Sequence, residues 1–317
     1  MDKNKKCPVG GKGIGGQAVI EGVMMRGKRI YAHAVRNSKG GISIEKTPVK
    51  PATDKSKIFG FPIVRGVVAF IDSLVMGMKV TTKSAEMAGL DDIEYDEESK
   101  FEKWLEEKCG DKLKDYIIYF SVAVSLVLAF GLFSFLPTFI GGLIGKLMQN
   151  DSTNVRSIVE SITKMVIFLG YLSLVSCMKD IKRVFMYHGA EHKTINCFES
   201  GDELTVENVR KHTRLHKRCG TSFLVIVMII SIFLGFFIRT NVFWLRVVCK
   251  LLLIPIISGI SYEIIKWAGS HDNWLVNIVS APGIATQYIT TREPKDEMIE
   301  VAIASLNAVL EEEPEDK

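Results

Sequence analysis

The sequence predicts a mainly α, polytopic membrane protein with about four transmembrane helices and a small β-rich module at its N-terminal end. Three observations carry this expectation. Hydrophobic residues make up 47% of the 317 positions and the mean hydropathy is positive, which favours a bilayer environment. Two stretches, Tyr116 to Gly145 and Cys219 to Ile238, contain no Asp, Glu, Lys or Arg, and about 20 apolar residues suffice to cross the hydrocarbon core as a helix. Upstream of both, residues 14–50 alternate around a Gly-containing turn, the pattern of a β-hairpin.

In chain order, residues 1–61 form the β-rich module. Its opening, MDKNKKCPVGGKGIGG, has charge but no apolar run behind it, so no cleaved signal peptide is expected. QAVIEGVMM, YAHAVR and ISIEKTPV read as strands, the last two joined by NSKGG, which leaves Glu21 as a lone carboxylate inside an apolar strand. Residues 62–115 hold an amphipathic helix and an acidic helical linker. Pro62 opens the helix, and Ile63, Val67, Phe70, Ile71, Leu74, Val75 and Met78 recur at helical spacing, as expected of a helix lying along the membrane or on the bundle. The linker from Asp91 to Asp115 is highly charged and suits a solvated helix without chemistry.

Residues 116–178 and 220–262 make two transmembrane hairpins. Their weaker spans, Ser161–Met178 and Val247–Tyr262, contain Lys164 and Lys250, expected to be the only charges inside the spans and to snorkel from positions near an end. The connection 179–219 carries nine Lys and Arg, whereas Leu136 to Ser161 carries only Lys146 and Arg156. Because basic residues are retained on the cytoplasmic side, this connection and both termini are expected in the cytoplasm of a multi-pass cell-membrane protein. In the cytoplasmic segment 263–317, Trp274–Ile289 is uncharged but interrupted by Ala281, Pro282 and Gly283, which suits an interfacial or re-entrant helix better than a fifth crossing. The tail beyond Arg292 reads as an exposed helix with an acidic end.

A net charge of +4 with scattered basic residues argues against nucleic acid and for the lipid bilayer, with other membrane proteins as further partners. The six cysteines include no CxxC pair and are expected as reduced thiols.

The candidate chemistry lies in residues 179–219. Four of the six histidines come as two i, i+4 pairs, His188 with His192 and His212 with His216. That spacing puts both imidazoles of a pair on one helix face, where they can share a divalent cation such as zinc. HGAEH also matches the H-x-x-E-H pattern of inverted zincins, in which two His bind the metal and Glu is the general base. His188 and His192 are the expected ligands and Glu191 the expected base. A third ligand is sought among His212, His216, Cys219, Glu199, Glu263 and His271, and Glu21 or Asp272 can orient a ligand. HTRLH is also readable as part of a basic helix gripping anionic headgroups, with Thr205 as its N-cap.

GGQAVIEGVMMRG, MYHGAEHKTINCFE, ENVRKHTRLHKRCGTSF and WLVNIVSAPGIATQYITTREP together resemble the bacterial YqhQ family, a domain of unknown function. The resemblance spans nearly the whole chain and implies a metal-dependent enzyme of the cell membrane; it implies no substrate. The expected function is a membrane-embedded, zinc-type hydrolase acting on a peptide or lipid-like substrate. A non-enzymatic scaffold with a structural metal or polar network is the alternative, and a transporter the third reading.

Overall fold

The computed structural model describes residues 13–49, 61, 64–89, 113–149, 152–271 and 273–312. Asp272, Cys7, Cys109 and the acidic linker up to residue 112 lie outside them. The chain divides into two compact units, one of Met1–Leu90, Leu172–Ser231 and Ile254–Lys317, the other of Asp91–Tyr171 and Ile232–Leu253.

The first unit contains a four-stranded antiparallel sheet in the order β1 (Gly15–Val19), β2 (Gly22–Arg26), β3 (Ile30–Arg36) and β4 (Ile42–Pro48). QAVIEGVMM is therefore not one strand. It doubles back at Ile20 and Glu21, with Val19 opposite Gly22, and Glu21 takes φ +52° to close the turn. Gly22 fits there because a Cβ would sit 2.3 Å from the Ala34 carbonyl oxygen.

Period-two alternation decides what each face of the sheet meets. Val23, Met25, Ala32 and Ala34 share a core with α5 (Lys179–Ser200) and α10 (Asp296–Leu310). Val19 and Met24 face Val80 of α1 (Val64–Ala88) instead. Thus α1 packs on the sheet, and Gly66 lets it approach the backbone of Gly259 in α8 (Phe243–Ser270), where a Cβ would lie 2.7 Å away.

The expectation of an exposed C-terminal helix is corrected. Met298, Ile299, Val301, Ala302, Leu306 and Val309 of α10 are buried, because its apolar face fills the space between the sheet and α5. Ser305 bridges this contact, accepting from Met25 N–H at 3.1 Å and donating to the Ala32 carbonyl at 2.9 Å. The acidic residues 313–317 lie outside the described residues.

Among the described residues, three helical segments are long and apolar enough to cross a membrane: Tyr119–Leu147, Thr153–Ser176 and Phe243–Gly269. A shorter apolar helix, Gly220–Gly235, accompanies them. The first comprises α2 (Leu113–Phe130), a π-helical turn at Gly131–Phe135 and α3 (Leu136–Leu147), with Pro137 in the first turn of α3, where its missing N–H leaves the smallest deficit. Thr153–Ser176 is α4, Val206–Lys211 is α6, Gly220–Gly235 is α7 and Trp274–Thr290 is α9. The protein is thus a mainly α, membrane-associated chain with three to four apolar helices and one small sheet.

In the second unit the charged residues depart from expectation. Lys164 and Lys250 are buried rather than snorkelling, and Arg156, Glu160 and Arg246 are buried too. Helix α4 begins a full two turns before the expected span, so Arg156 and Glu160 enter the bundle and Glu160 supplies the counter-charge that keeps Lys250 and Arg246 inside.

Candidate metal centre

Helix α5 carries HGAEH through the middle of the first unit, and Tyr187 to Ile195 are all buried. Gly189 is the point at which the residues after α9 cross it: a Cβ there would come 2.0 Å from the Arg292 carbonyl oxygen. The crossing is fixed by Arg292 N–H donating to the Phe185 carbonyl at 2.8 Å. It brings the end of α9 beside the first histidine, and His188 Nδ1–H donates to the Thr290 carbonyl at 2.8 Å.

One turn on, His192 Nδ1–H donates to the Arg214 carbonyl at 2.6 Å. A carbonyl oxygen only accepts, so each Nδ1 holds the proton and each Nε2 keeps its lone pair. His188, His192 and Cys219 each offer one ligand atom, and these three atoms lie within 4.8 Å of one another. His188 Nε2 is 3.2 Å from Cys219 Sγ; ligand bonds of 2.0–2.1 Å to nitrogen and 2.3 Å to sulfur in a tetrahedral site imply about 3.5 Å. His192 Nε2 is buried with no hydrogen-bond partner among the described residues, and burial holds its imidazole below the ordinary range. An orphaned lone pair, two backbone-anchored imidazoles and a thiol are a donor set that can hold a divalent metal, with a fourth position left open.

Glu191 sits between the two histidines in sequence and is fully buried. Its Oε2 has no hydrogen-bond partner among the described residues, and burial pushes its carboxyl up while the nearby His188 and His216 act against that push. Gly16 of β1 makes room for it, since a Cβ there would meet Glu191 Oε1 at 2.7 Å. Glu191, His188 and Cys219 line a cavity of about 600 Å³ whose other walls include Gly16, Ser73 and Phe185, a volume in the range of small-molecule sites.

The other sequence candidates separate. His212 and His216 do not share a helix face: α6 ends at Lys211, and residues 212–219 run as an irregular loop. The physical reason is competition for carbonyls. Lys193 donates to Arg210 O at 2.9 Å, Asn196 to Thr213 O at 2.7 Å and Leu215 O at 3.1 Å, and His192 to Arg214 O. Side chains of α5 thus take the oxygens that a helix would need. Thr205 does cap a helix, accepting from Asn208 N–H at 3.3 Å, but that helix is α6 alone.

His212 Nε2 turns to Asp202 at 2.9 Å, away from the triad. His216 lies beside it, 5.7 Å from His192 ring to ring, with Nε2 toward Glu199 at 3.4 Å. Glu199 also pairs with Arg218; burial opposes its ionisation, but His216 and Arg218 outweigh that and hold its carboxyl below the usual range. Glu263 pairs with Arg65, and His271 donates to the Trp267 carbonyl at 2.9 Å. Glu21 is bound by Arg183, at 2.6 Å for Nη2, and by Tyr187 O–H at 3.3 Å. It therefore ties the first hairpin of the sheet to α5, one turn before His188.

Two contributors have no mark in a residue-type search. Thr290 acts through its backbone oxygen. Gln287, fully buried, accepts from His216 N–H and donates to His216 O, both at 2.8 Å, which pins the loop that leads to Cys219. Its helix carries a second primary amide, Asn277, so residue type alone does not single Gln287 out.

Fold and site together define a mainly α, membrane-associated protein in which α5 and the loop before α7 bring a His–His–Cys cluster together beside a buried glutamate. The chain belongs to the family described as a protein of unknown function, DUF1385, whose model matches residues 61–312. It is 38% identical over 315 residues to "Uncharacterized protein YqhQ" of Bacillus subtilis (strain 168), covering 98% of this chain and 95% of that one. No solved structure matches it at a significant level.

Proposed function

We propose that this protein is a metal-dependent hydrolase of the cell membrane, with His188, His192 and Cys219 as metal ligands and Glu191 as the proton-transferring base. The observation that carries the reading is the commitment of both Nδ1 atoms to backbone carbonyls, which aims two Nε2 lone pairs and a thiol at one region beside Glu191. A divalent metal such as zinc, when bound, supplies Lewis acidity to an oxygen of substrate or water. Glu191 supplies the proton chemistry: its unpartnered Oε2 is the atom that takes a proton from attacking water and returns it to the leaving group. Burial raises its carboxyl above the ordinary carboxylate value, so it holds a proton more readily than a solvated glutamate does. The adjoining cavity is the substrate compartment, and its mixed walls suit the carbonyl of a peptide or lipid-like acyl substrate. Nine basic residues in the segment that carries the site argue for its lying on the cytoplasmic side, with both termini.

The test is elemental mass spectrometry on detergent-purified wild type, His188→Ala/His192→Ala and Glu191→Gln, with hydrolysis of peptide and ester libraries measured in parallel. Near-stoichiometric zinc is expected in wild type and Glu191→Gln and absent from the double variant, with hydrolysis only in wild type. Metal retained together with full biological function in Glu191→Gln makes the metal a structural staple and the hydrolase reading wrong. No metal in folded wild type removes the metal as well.

A further inference from the structure

The second unit holds a separate cluster of charge. On α4, Arg156, Glu160 and Lys164 follow one another at i, i+4, and on α8 Arg246 and Lys250 do the same; that spacing aligns each series on one helix face. All five are buried. Arg246 Nε reaches Glu160 Oε1 at 2.8 Å, Lys250 Nζ reaches Oε2 at 2.7 Å, and Arg156 Nε lies 3.3 Å from Oε1. Arg246 also donates to the Ile238 carbonyl and to Ser157 Oγ, both at 2.7 Å. Arg156, Arg246 and Lys250 thus share the one carboxylate of Glu160. In a low-dielectric bundle such an excess is costly without a compensating anion.

One edge of the cluster opens where an anion can enter. A cavity of about 510 Å³ has Arg156 in its wall together with Lys146, Ser152 and Asn241, and Phe139 and Phe243 on its apolar side. Arg156 Nη1 donates to the Asn241 carbonyl at 2.8 Å, but Nη2 makes only a long contact, 3.4 Å to Thr138 O. Gly142 keeps the space before it clear, since a Cβ there would stand 3.2 Å from Nη2. Lys146 and Asn241 are exposed at the mouth. The mouth lies where apolar helices give way to turns: α3 ends at Leu147, α4 begins at Thr153 and α8 begins at Phe243. Charged lipid headgroups occupy that level of a bilayer.

We propose that this cavity binds a phosphate-type anion, contacted by Arg156 and Lys146, as either the headgroup of an anionic phospholipid or free phosphate. The guanidinium fork suits two phosphate oxygens and the lysine supplies a point charge. The phenyl rings provide an apolar surface for the glycerol and first acyl carbons of a lipid.

The test uses the full chain, delipidated in an uncharged detergent, with thermal unfolding followed at constant ionic strength. The titrants are inorganic phosphate, phosphatidylglycerol and, as a lipid without phosphate, diacylglycerol. The proposal expects a saturable stabilisation by phosphatidylglycerol, by phosphate or by both, and none by diacylglycerol. Response to phosphate alone identifies the free anion, and response to the phospholipid alone identifies a headgroup. Lys146→Gln removes an exposed side chain outside the Glu160 network and is expected to fold normally while weakening the apparent affinity about tenfold. Gly142→Leu, which fills the cavity before Arg156, is expected to abolish the response. Absence of any anion-specific stabilisation in wild type, or an undiminished response in Lys146→Gln and Gly142→Leu, overturns the proposal.

Discussion

Replacing Gly189 with alanine sets helix propensity against tertiary packing at the centre of the candidate metal centre. Alanine in a helix interior is favoured over glycine by about 1 kcal/mol, so α5 in isolation would gain. In the fold, however, the new Cβ would lie 2.0 Å from the Arg292 carbonyl oxygen, where ordinary contact starts near 3.4 Å. The obstacle is backbone and cannot rotate away. It is held by Arg292 N–H on Phe185 O, by Arg214 on the Thr291 carbonyl at 2.7 Å and by the Lys193–Glu293 pair. Overpacking against such a site costs about 1–3 kcal/mol and sometimes more, and the backbone clash puts this case at or beyond the upper end. The expected net effect is a loss of about 2 kcal/mol, the difference between roughly 3 lost and 1 gained.

The displaced segment includes Thr290, whose carbonyl anchors His188, so on the proposed metal-dependent reading metal content should fall along with stability. Thermal unfolding in detergent and elemental analysis on the same preparations measure both. Gly170→Ala is the control, because nothing lies within 4 Å of a Cβ built there, and it should be neutral or stabilising. A Gly189→Ala protein as stable as wild type, or as stabilised as the control, would refute the argument that this crossing demands glycine.

Two further outcomes follow from buried polar groups. Gln287→Ala leaves the His216 N–H and C=O without their amide partner; at about 1–3 kcal/mol for an unsatisfied buried group, a loss of about 2 kcal/mol is expected, with faster hydrogen exchange across residues 214–219. Unchanged exchange there would show that the amide does not hold the loop. His33 is buried in the sheet, and burial lowers its pKa below the unfolded value, so the unfolded chain binds the proton first. Its contribution to stability is therefore full above about pH 6.5 and is lost as pH falls from there toward the folded pKa. Unfolding temperatures compared near pH 7.5 and pH 5 should converge in His33→Leu relative to wild type; an equal acid loss in both proteins would exclude His33 as its source.

By itself the sequence determined the elements whose cause is local. Long uncharged runs require apolar helices because a bilayer rewards uniform hydrophobicity at any register. The alternation in residues 14–50 required strands, and Thr205 announced a helix start. HGAEH fixed the two imidazoles on one face of α5, since i, i+4 geometry is a property of the helix alone. Contacts between distant segments were decided only in the tertiary structure. That Cys219 rather than His212 joins His188 and His192 depends on α5 side chains capturing carbonyls of a loop that would otherwise have continued as a helix. The anchors of the two histidines are backbone oxygens of Thr290 and Arg214, and a backbone oxygen has no residue-type signature. The burial of α10 and the entry of Arg156 and Glu160 into the bundle have the same origin: a polar or amphipathic helix is buried when another element offers the matching surface, and that surface comes from elsewhere in the chain.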